Sequence, residues 1–344
     1  MSMQQLSPNE QWPELPAHGA MPKLNGHSRE WCNAVSKGLR HPLIVLTIRD
    51  DRSTPVAILP LMHVKSFLFG SFLVSLPYLN SGGVWAIDAD AARQIVTHAC
   101  DLADQLQVRH LELRHEVRVE HPKLTLERSD KVHLRLPLPR TNEELDKSFK
   151  SKLRSQIKKS NEYGLDARWG GEELLPHFYD VFSRNMHDLG TPVFSKELFR
   201  QILIAFGESH SDLCVVYRNQ LPIASALLVH ANGCTEVPSA SSLREHNSTN
   251  ANMWMYRHLL SRAIEHGSHT FDFGRSTQGS GTYQFKTQWG AKPCPATWQF
   301  YVRNGNVENL RPDSNRNQRL IKLWKRLPLW LTRLAGPSIV RGIP

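Results

Sequence analysis

The chain has 344 residues, 40% hydrophobic and 22% charged, which is long for one core and too apolar for a disordered polymer, so two globular domains are expected. Five scattered cysteines, with neither CxxC nor HExxH, argue against a disulfide framework or a zinc site and favour a reducing, cytoplasmic setting. The net charge of +10 is concentrated in two places, and such patches attract phosphates of RNA, lipid or nucleotide-linked substrates, or else serve solubility.

Residues 1 to about 25 read as a loosely packed lead-in, without the basic start and apolar core of a secretory signal. Leu43–Ile48 and Val56–Met62 flank the turn-like Asp50-Asp51-Arg52-Ser53 and predict a β-hairpin. Ser66–Ile87 is the longest uncharged run, but Pro77, Asn80, Gly82 and Gly83 break its second half. Phe67–Leu76, about half of the ~20 residues a helical span needs, is expected to be a buried strand followed by a loop. Ala91–Leu106 has helical spacing (Ile95, Ala99, Leu102, Leu106), and His110–Leu113 returns to a strand.

Asn142 to about Tyr163 predicts one helix joining the two halves, capped by Thr141 and stopped by Gly164. Leu145, Phe149, Leu153 and Ile157 form its apolar face, and Lys147, Lys150, Lys152, Arg154, Lys158 and Lys159 its basic remainder. The second half continues with helices over Leu174–Leu189 and Ser195–Phe206, then strands over Leu213–Tyr217, Ile223–His230 and Thr235–Ser239. A helix over Asn252–His266, with Trp254, His258 and Ile264 facing inward, precedes strands at Thr270–Phe273 and Thr297–Val302. Asn304–Asn317 reads as a loop. From Arg303 onward nine Lys/Arg stand against two Asp/Glu, and Leu320–Pro337 combines an apolar stripe (Leu320, Leu323, Trp324, Leu327) with Lys322, Lys325 and Arg326. That segment suits an anionic membrane surface through residues 318–337, or a terminal helix docked on the protein.

Phe271–Gly290 holds the densest set of chemical groups. Gly274, Gly279 and Gly281 follow a strand, but Ser280 stands where a Walker loop needs Lys, and neither GxGxxG nor GxSxG occurs. Asp272 and Arg275 lie at a strand end and could orient a substrate, or simply pair with each other. Gly279 and Gly281 allow close backbone approach, and Tyr283, Phe285 and Trp289 surround Lys286. A lysine in that setting can neutralise a phosphate or stabilise charge developing on a carbonyl oxygen.

The run DFGRST…GTYQFKTQWG resembles the signature of Fem-type (FemAB-like) transferases of the GNAT-like superfamily, closest to the subgroup associated with PEP-CTERM/exosortase and exopolysaccharide systems. Ser75–Gly83 (SLPYLNSGG), Ser151–Gly164 and the tail LWKRLPLWLTRLAGP agree with it, so the likeness covers about Leu43 to the C-terminus. It implies an α/β (α+β) fold of two tandem GNAT-like domains, each a mixed, mostly antiparallel sheet flanked by helices. The expected boundaries are a lead-in at 1–25, domains at 26–140 and 141–303, and a basic tail at 304–344. It also implies an acyl or aminoacyl transferase acting on an amine of a peptidoglycan, cell-envelope or exopolysaccharide-related acceptor.

Lys286, Asp272 and Arg275 are then the expected catalytic set. Phe285, Tyr283, Trp289, Gly281, Thr282 and Tyr256 are expected to bind substrate, and Tyr78, Asn80, Gly82 and Gly83 to close an acceptor groove. No cofactor or metal is implied; the donor is aminoacyl-tRNA or acyl-CoA, with no role for DNA. Arg244-Glu245-His246-Asn247-Ser248-Thr249 lacks the glycines of a CoA pyrophosphate loop, which disfavours acyl-CoA. The long helical hairpin that some Fem proteins carry is missing, which leaves tRNA use open. A CoA-dependent N-acyltransferase, a non-catalytic binding protein at the membrane face and an RNA-binding protein are the alternatives.

Overall fold

The computed structural model describes residues 2–6, 12, 13, 15, 19–303 and 321–343. β1 (Ser2–Leu6) lies antiparallel to β2 (Leu43–Arg49), with α1 (Arg29–Leu39) between them in sequence. β2 turns into β3 (Pro55–Ser66), the expected hairpin. Asp50 closes the turn, Oδ1 accepting the N–H groups of Arg52 (2.9 Å) and Thr54 (2.8 Å).

β3 turns again into β4 (Gly70–Val74), which corrects the expectation of one buried strand over Phe67–Leu76. Ser66 pairs with Gly70, so Phe67, Leu68 and Phe69 form an exposed tip without a partner strand among the described residues. Ser66 Oγ accepts the Phe69 N–H (3.2 Å), and Gly70 takes φ +93° to re-enter the sheet. β5 (Trp85–Ala86) also pairs with β3. In α2 (Ala89–Gln105), Asp88 caps the first turn, and Ala91, Ile95, Ala99 and Ala103 form a fully buried stripe against the sheet. β6 (His110–His115) and β7 (Leu126–Arg128) follow.

The second sheet begins with β8 (Lys131–Pro137). The single helix expected over 142–163 is two, α3 (Asn142–Ser148) and α4 (Ser151–Ser160), followed by a 3-10 turn to the left-handed Gly164. Phe149 and Lys150 are extended between them: Phe149 is buried edge-on against Trp289, with centroids 5.3 Å apart, and Ser148 Oγ donates back to the Leu145 carbonyl. Thr141 caps α3 as expected.

The remaining elements are β9 (Leu165–Gly170), α5 (Leu175–Leu189), α6 (Lys196–Phe206), β10 (Ser211–Arg218), β11 (Leu221–Ala231), β12 (Cys234–Ser242), α7 (Ala251–Glu265), β13 (Thr270–Thr277), α8 (Gly281–Thr287), β14 (Lys292–Pro295), β15 (Thr297–Val302) and α9 (Leu329–Val340). Within α7 the fully buried residues are Met255, Leu259, Leu260 and Ala263, with Trp254 nearly so, whereas His258 and Ile264 are half-buried.

Among the described residues one sheet runs β1-β2-β3-β4-β6-β15-β7, with β5 on β3, and the other β14-β8-β13-β12-β11-β10-β9. β4 and β6 pair in parallel, as do β12 and β13; the other registered pairs are antiparallel. Two compact units result. The first holds the described residues through Lys131, those from Pro295 to Arg303 and those from Ser338 on; the second holds Val132–Cys294 and the described residues up to Pro337. The boundaries thus differ from the expected 140/141 and 303/304, because β8 hydrogen-bonds into the second sheet and β15 into the first. The loop expected over 304–317 lies outside the described residues.

Candidate active site

β12 and β13 run parallel but share only three register pairs, ending at Glu236↔Asp272. β12 continues to Ser242 and β13 to Thr277, so the pairing stops well before either strand does. At the parting point Asp272 is buried, and both its oxygens are engaged: Oδ1 accepts the Gly274 N–H (2.7 Å) and Oδ2 accepts Arg135 Nε (2.8 Å). Gly274 has φ +73°, a conformation that suits glycine and kinks the strand end. Asp272 is therefore paired with Arg135.

The α8 helix returns Lys286 to this kink. Ser280 caps it, accepting the Tyr283 N–H at 3.2 Å. Lys286 Nζ donates to the carbonyl oxygens of Gly274 and Arg275, each at 3.1 Å. Burial pulls the ammonium down to about 8, a shift partly opposed by the Asp272 carboxylate. Lys286 is thus a half-buried cation held by backbone carbonyls in the C-terminal half of β13, beyond its pairing with β12.

The expected substrate-binding aromatics form the packing beneath Lys286. Tyr256 stacks on Phe273 (5.6 Å) and meets Phe285 edge-on (4.9 Å), while Trp289 is buried between Phe149 and Phe285. Burial raises the Tyr256 phenol above its ordinary range. Tyr256 and Trp289 hold α8 in place from within the core cluster, whereas Tyr283 and Phe285 are only partly buried. Gly281 and Thr282 are exposed, Thr282 sharing a 3.0 Å hydroxyl contact with Ser280.

Tyr78, Asn80, Gly82 and Gly83 belong to the first unit, where buried Arg114 organises their loop. Arg114 donates to Glu112 (2.7 Å) and to the carbonyls of Leu76 (3.2 Å) and Leu79 (2.5 Å), and its guanidinium lies over Trp298. Trp298 Nε1 donates to the Asn80 carbonyl at 3.2 Å. Gly82 and Gly83 both donate N–H to the Arg114 carbonyl, and a Cβ on Gly83 would lie 2.1 Å from the His115 ring. His27 Nε2 donates to the Gly83 carbonyl at 2.7 Å. Leu76 (φ 61°) and Tyr78 (φ 74°) take left-handed conformations, which a non-glycine residue holds only when its surroundings fix it.

Residues 244–249 form a 3-10 helix leading into α7, with Asn250 left-handed at the junction. The Ala251 N–H is bound by Thr249 Oγ1 (3.2 Å), and those of His246 and Asn250 go to local carbonyls. A cavity of about 480 Å³ opens between α3, α4 and α7, lined by Arg154, Lys158, Trp254, Arg257 and His258 among others. Asp272, Gly274, Arg275 and Lys286 are not among its lining residues, although Phe149, which packs on Trp289, is. Lys150, Lys152, Arg154, Lys158 and Lys159 are exposed beside it.

The tail segment docks on its own unit: Arg333 donates to Ser183 Oγ (2.8 Å) and Asp180 Oδ1 (2.5 Å), and His187 to the Leu327 carbonyl (2.9 Å). Trp330 and Leu334 remain exposed on α9, and residues 318–320 lie outside the described part. No described helix is long and apolar enough to cross a membrane.

Among the described residues, one cluster brings metal-ligand types together: Asp212, His230 and His266, with donor atoms within 4.8 Å of one another. Arg262 already spans both oxygens of Asp212 (2.8 and 3.0 Å), and the two imidazoles, stacked face to face at 3.8 Å, each bring Nε2 to 3.2 Å from the same Oδ2, so the carboxylate is already shared among three side chains. Burial would raise the Asp212 carboxyl, but hydrogen bonds from His230 and Arg262 hold it at about 2.

Of the predicted residues, the structure brings Asp272, the Arg275 carbonyl and Lys286 together. Two nearby groups escaped sequence reading. Arg135 sits on a strand far off in sequence, and its partner could not be found from spacing. Ser276 lies one residue beyond the Arg275 carbonyl, and its buried hydroxyl has no hydrogen-bond partner among the described residues; its place in DFGRST was the available signal.

Residues 147–287 match the family model described as Acetyltransferase (GNAT) domain. The search of curated proteins found no match. Among solved structures, the crystal structure of FemX is similar with TM-score 0.63 at 14% identity, over 95% of this chain and 100% of that one. A tandem GNAT protein from the clavulanic acid biosynthesis pathway gives 0.53 at 12%, over 88% and 98%. The C-terminal domain of a provisionally named lysylphosphatidylglycerol synthetase from Agrobacterium fabrum gives 0.52 at 12%, over 82% and 89%. At these identities the likeness is one of fold. The chain is a mixed α/β protein with two mostly antiparallel, helix-flanked sheets and tandem GNAT structural matches, and its GNAT domain match falls on residues 147–287.

Proposed function

We propose that this protein is an acyltransferase that moves an acyl or aminoacyl group from an activated donor to an amine on a cell-envelope or exopolysaccharide-related acceptor. The carrying observation is Lys286, a half-buried ammonium fixed on two carbonyls where β12 and β13 stop pairing. The acceptor nitrogen bonds the donor carbonyl carbon, the carbonyl oxygen takes negative charge, and the donor's C–O or C–S bond then breaks. The proton lost by the amine leaves with the displaced group. Two of the three N–H bonds of Lys286 are engaged by carbonyls, and the third serves the developing oxyanion or a donor phosphate. Asp272 and Arg135 hold the kinked strand end, and Arg275 and the Ser276 hydroxyl are the polar groups closest to it in sequence.

An aminoacyl ester donor is favoured over acyl-CoA. Residues 244–249 carry no glycine, and the N–H groups of His246, Asn250 and Ala251 leading into α7 are already bonded within the turn, which disfavours a pyrophosphate there. The exposed cations of α4 supply a surface for a polyanionic donor such as charged tRNA. FemX and a protein named for making lysylphosphatidylglycerol share the fold, which supports an envelope acceptor, including the PEP-CTERM-associated setting suggested by the sequence. Exposed Trp330 and Leu334, on a chain segment that also carries Lys322, Lys325 and Arg326, favour peripheral contact of residues 318–337 with an anionic membrane.

The test is mass spectrometry of envelope-type amines incubated with the protein and either charged tRNA or acyl-CoA. Acylated product is expected with the first donor and absent with Lys286→Ala; undiminished turnover by that variant overturns the assignment.

A further inference from the structure

The β3–β4 hairpin ends in Phe67-Leu68-Phe69, with exposures of 104%, 65% and 39%. A three-residue hairpin loop needs turn-forming residues, which are usually small or polar. Here the turn is closed by the Ser66 hydroxyl and by Gly70 at φ +93°, so the three apolar side chains contribute nothing to making it. Phe67 and Leu68 in particular stay in water, an arrangement that folding alone does not explain.

The base of the same hairpin is basic. Lys65 is exposed one residue before the turn. Arg109, also exposed, donates its backbone N–H to Ser71 at 2.7 Å. On the other side, His41 Nε2 donates to the Arg341 carbonyl at 2.7 Å, and Arg341 Nη2 reaches the Arg40 carbonyl at 3.5 Å. Gly342 packs so close to Ser66 that an added Cβ would lie 2.4 Å from Oγ, which sets exposed Ile343 beside the hairpin base. Segments 37–42, 63–71 and 338–343 contain no Asp or Glu.

We propose that this tip is a membrane-contact element: Phe67, Leu68 and Phe69 insert at the headgroup–acyl boundary of an anionic bilayer, while Lys65, Arg40, Arg109 and Arg341 meet lipid phosphates. Three apolar residues are far too few to span a bilayer, but side chains held out on a closed hairpin lose little freedom on insertion. Apolar tip and basic collar together match the two layers of a lipid surface, whereas a protein groove would need no collar of one sign. The contact is separate from the 318–337 segment and does not depend on the chemistry proposed above.

The test is co-sedimentation of the full chain with phosphatidylcholine vesicles, with and without phosphatidylglycerol. Phe67→Ser/Leu68→Ser/Phe69→Ser is compared with Lys65→Glu/Arg109→Glu and with Trp330→Ser/Leu334→Ser. The tip variant keeps its melting temperature, because Phe67 and Leu68 leave no cavity, and its partitioning falls at least about tenfold. The charge variant loses the extra binding that phosphatidylglycerol confers. The proposal is overturned if wild type does not sediment, if the tip variant binds as wild type does, or if only the Trp330/Leu334 variant loses binding. Concentration-dependent self-association of wild type that the tip variant abolishes, without any vesicle binding, would reassign the tip to contact between copies.

Discussion

Arg135 donates through Nε to Asp272 Oδ2 at 2.8 Å, bridging residues 137 apart in sequence and fixing the strand end on which Lys286 rests. Asp272 uses its other oxygen on the Gly274 N–H, so one carboxylate shapes the backbone whose carbonyls receive the ammonium. It also opposes the effect of burial on Lys286.

Asp272→Asn is therefore expected to act through Lys286. Losing the carboxylate charge lowers the lysine pKa further, so the alkaline fall in turnover moves to lower pH. Arg135→Ala leaves the charge but frees the carboxylate to move, and lowers turnover with a smaller change in the pH profile. A pH profile of Asp272→Asn that superposes on wild type removes this coupling.

Lys286 must be charged to stabilise an oxyanion, so turnover is expected to fall as pH rises through about 8. Lys286→Arg moves that limb upward, because guanidinium does not titrate there. Lys286→Met should lower turnover roughly 100-fold or more, on the scale of an oxyanion-hole deletion. Its stability should hardly change: the desolvated charge is removed, but two carbonyls lose a donor. The sign for wild type follows from a folded pKa below the unfolded value, so this group favours folding more as pH rises from about 8 to the ordinary lysine range. Parallel pH–rate and thermal-melt series check both.

Acid should weaken the first unit before its carboxylates titrate. Burial lowers His27, His110 and His115 each to about 4 from 6.5. Between those values the unfolded chain binds more protons, so stability falls as pH drops from 6.5 towards 4, by up to roughly 1–3 kcal/mol per histidine. A melting temperature flat across that window contradicts this.

Gly83→Ala drives a methyl into the His115 ring, which is held by its 3.0 Å contact with Gln299. A cost of roughly 1–3 kcal/mol is expected, as for overpacking elsewhere. Gly82→Ala meets only the Leu76 side chain, at 3.2 Å, and should be milder. Denaturant melts of the two variants give the ranking; equal effects would point to the loop as a whole instead.

If α4 receives a polyanionic donor, binding of charged tRNA should weaken steeply with salt, and Lys158→Ala/Lys159→Ala should reduce the slope. Salt-independent binding, measured by filter retention, excludes that role.

Much of this was legible from local pattern. The β2–β3 hairpin, α2, α5, α6 and α7 follow from apolar periodicity and capping residues that act within a few positions. The break at Phe149 was not, because it depends on Trp289, which completes the packing only after more than a hundred further residues. Phe67–Phe69 was misread for a related reason: apolar content predicts burial only where a neighbour exists, and the hairpin ends there. At the site, Lys286 and Asp272 stood out by motif, whereas Arg135 became visible only through the register of the second sheet.

The placement of β15 has a consequence for synthesis. It lies inside the first sheet, between β6 and β7, yet emerges from the ribosome after the whole second sheet. The first unit therefore waits with a gap between β6 and β7 while later residues are translated. The second unit, continuous from Val132 to Cys294, is the part able to fold early. A fragment cut at residue 140 would expose an open strand edge on β6, and aggregation is its expected fate.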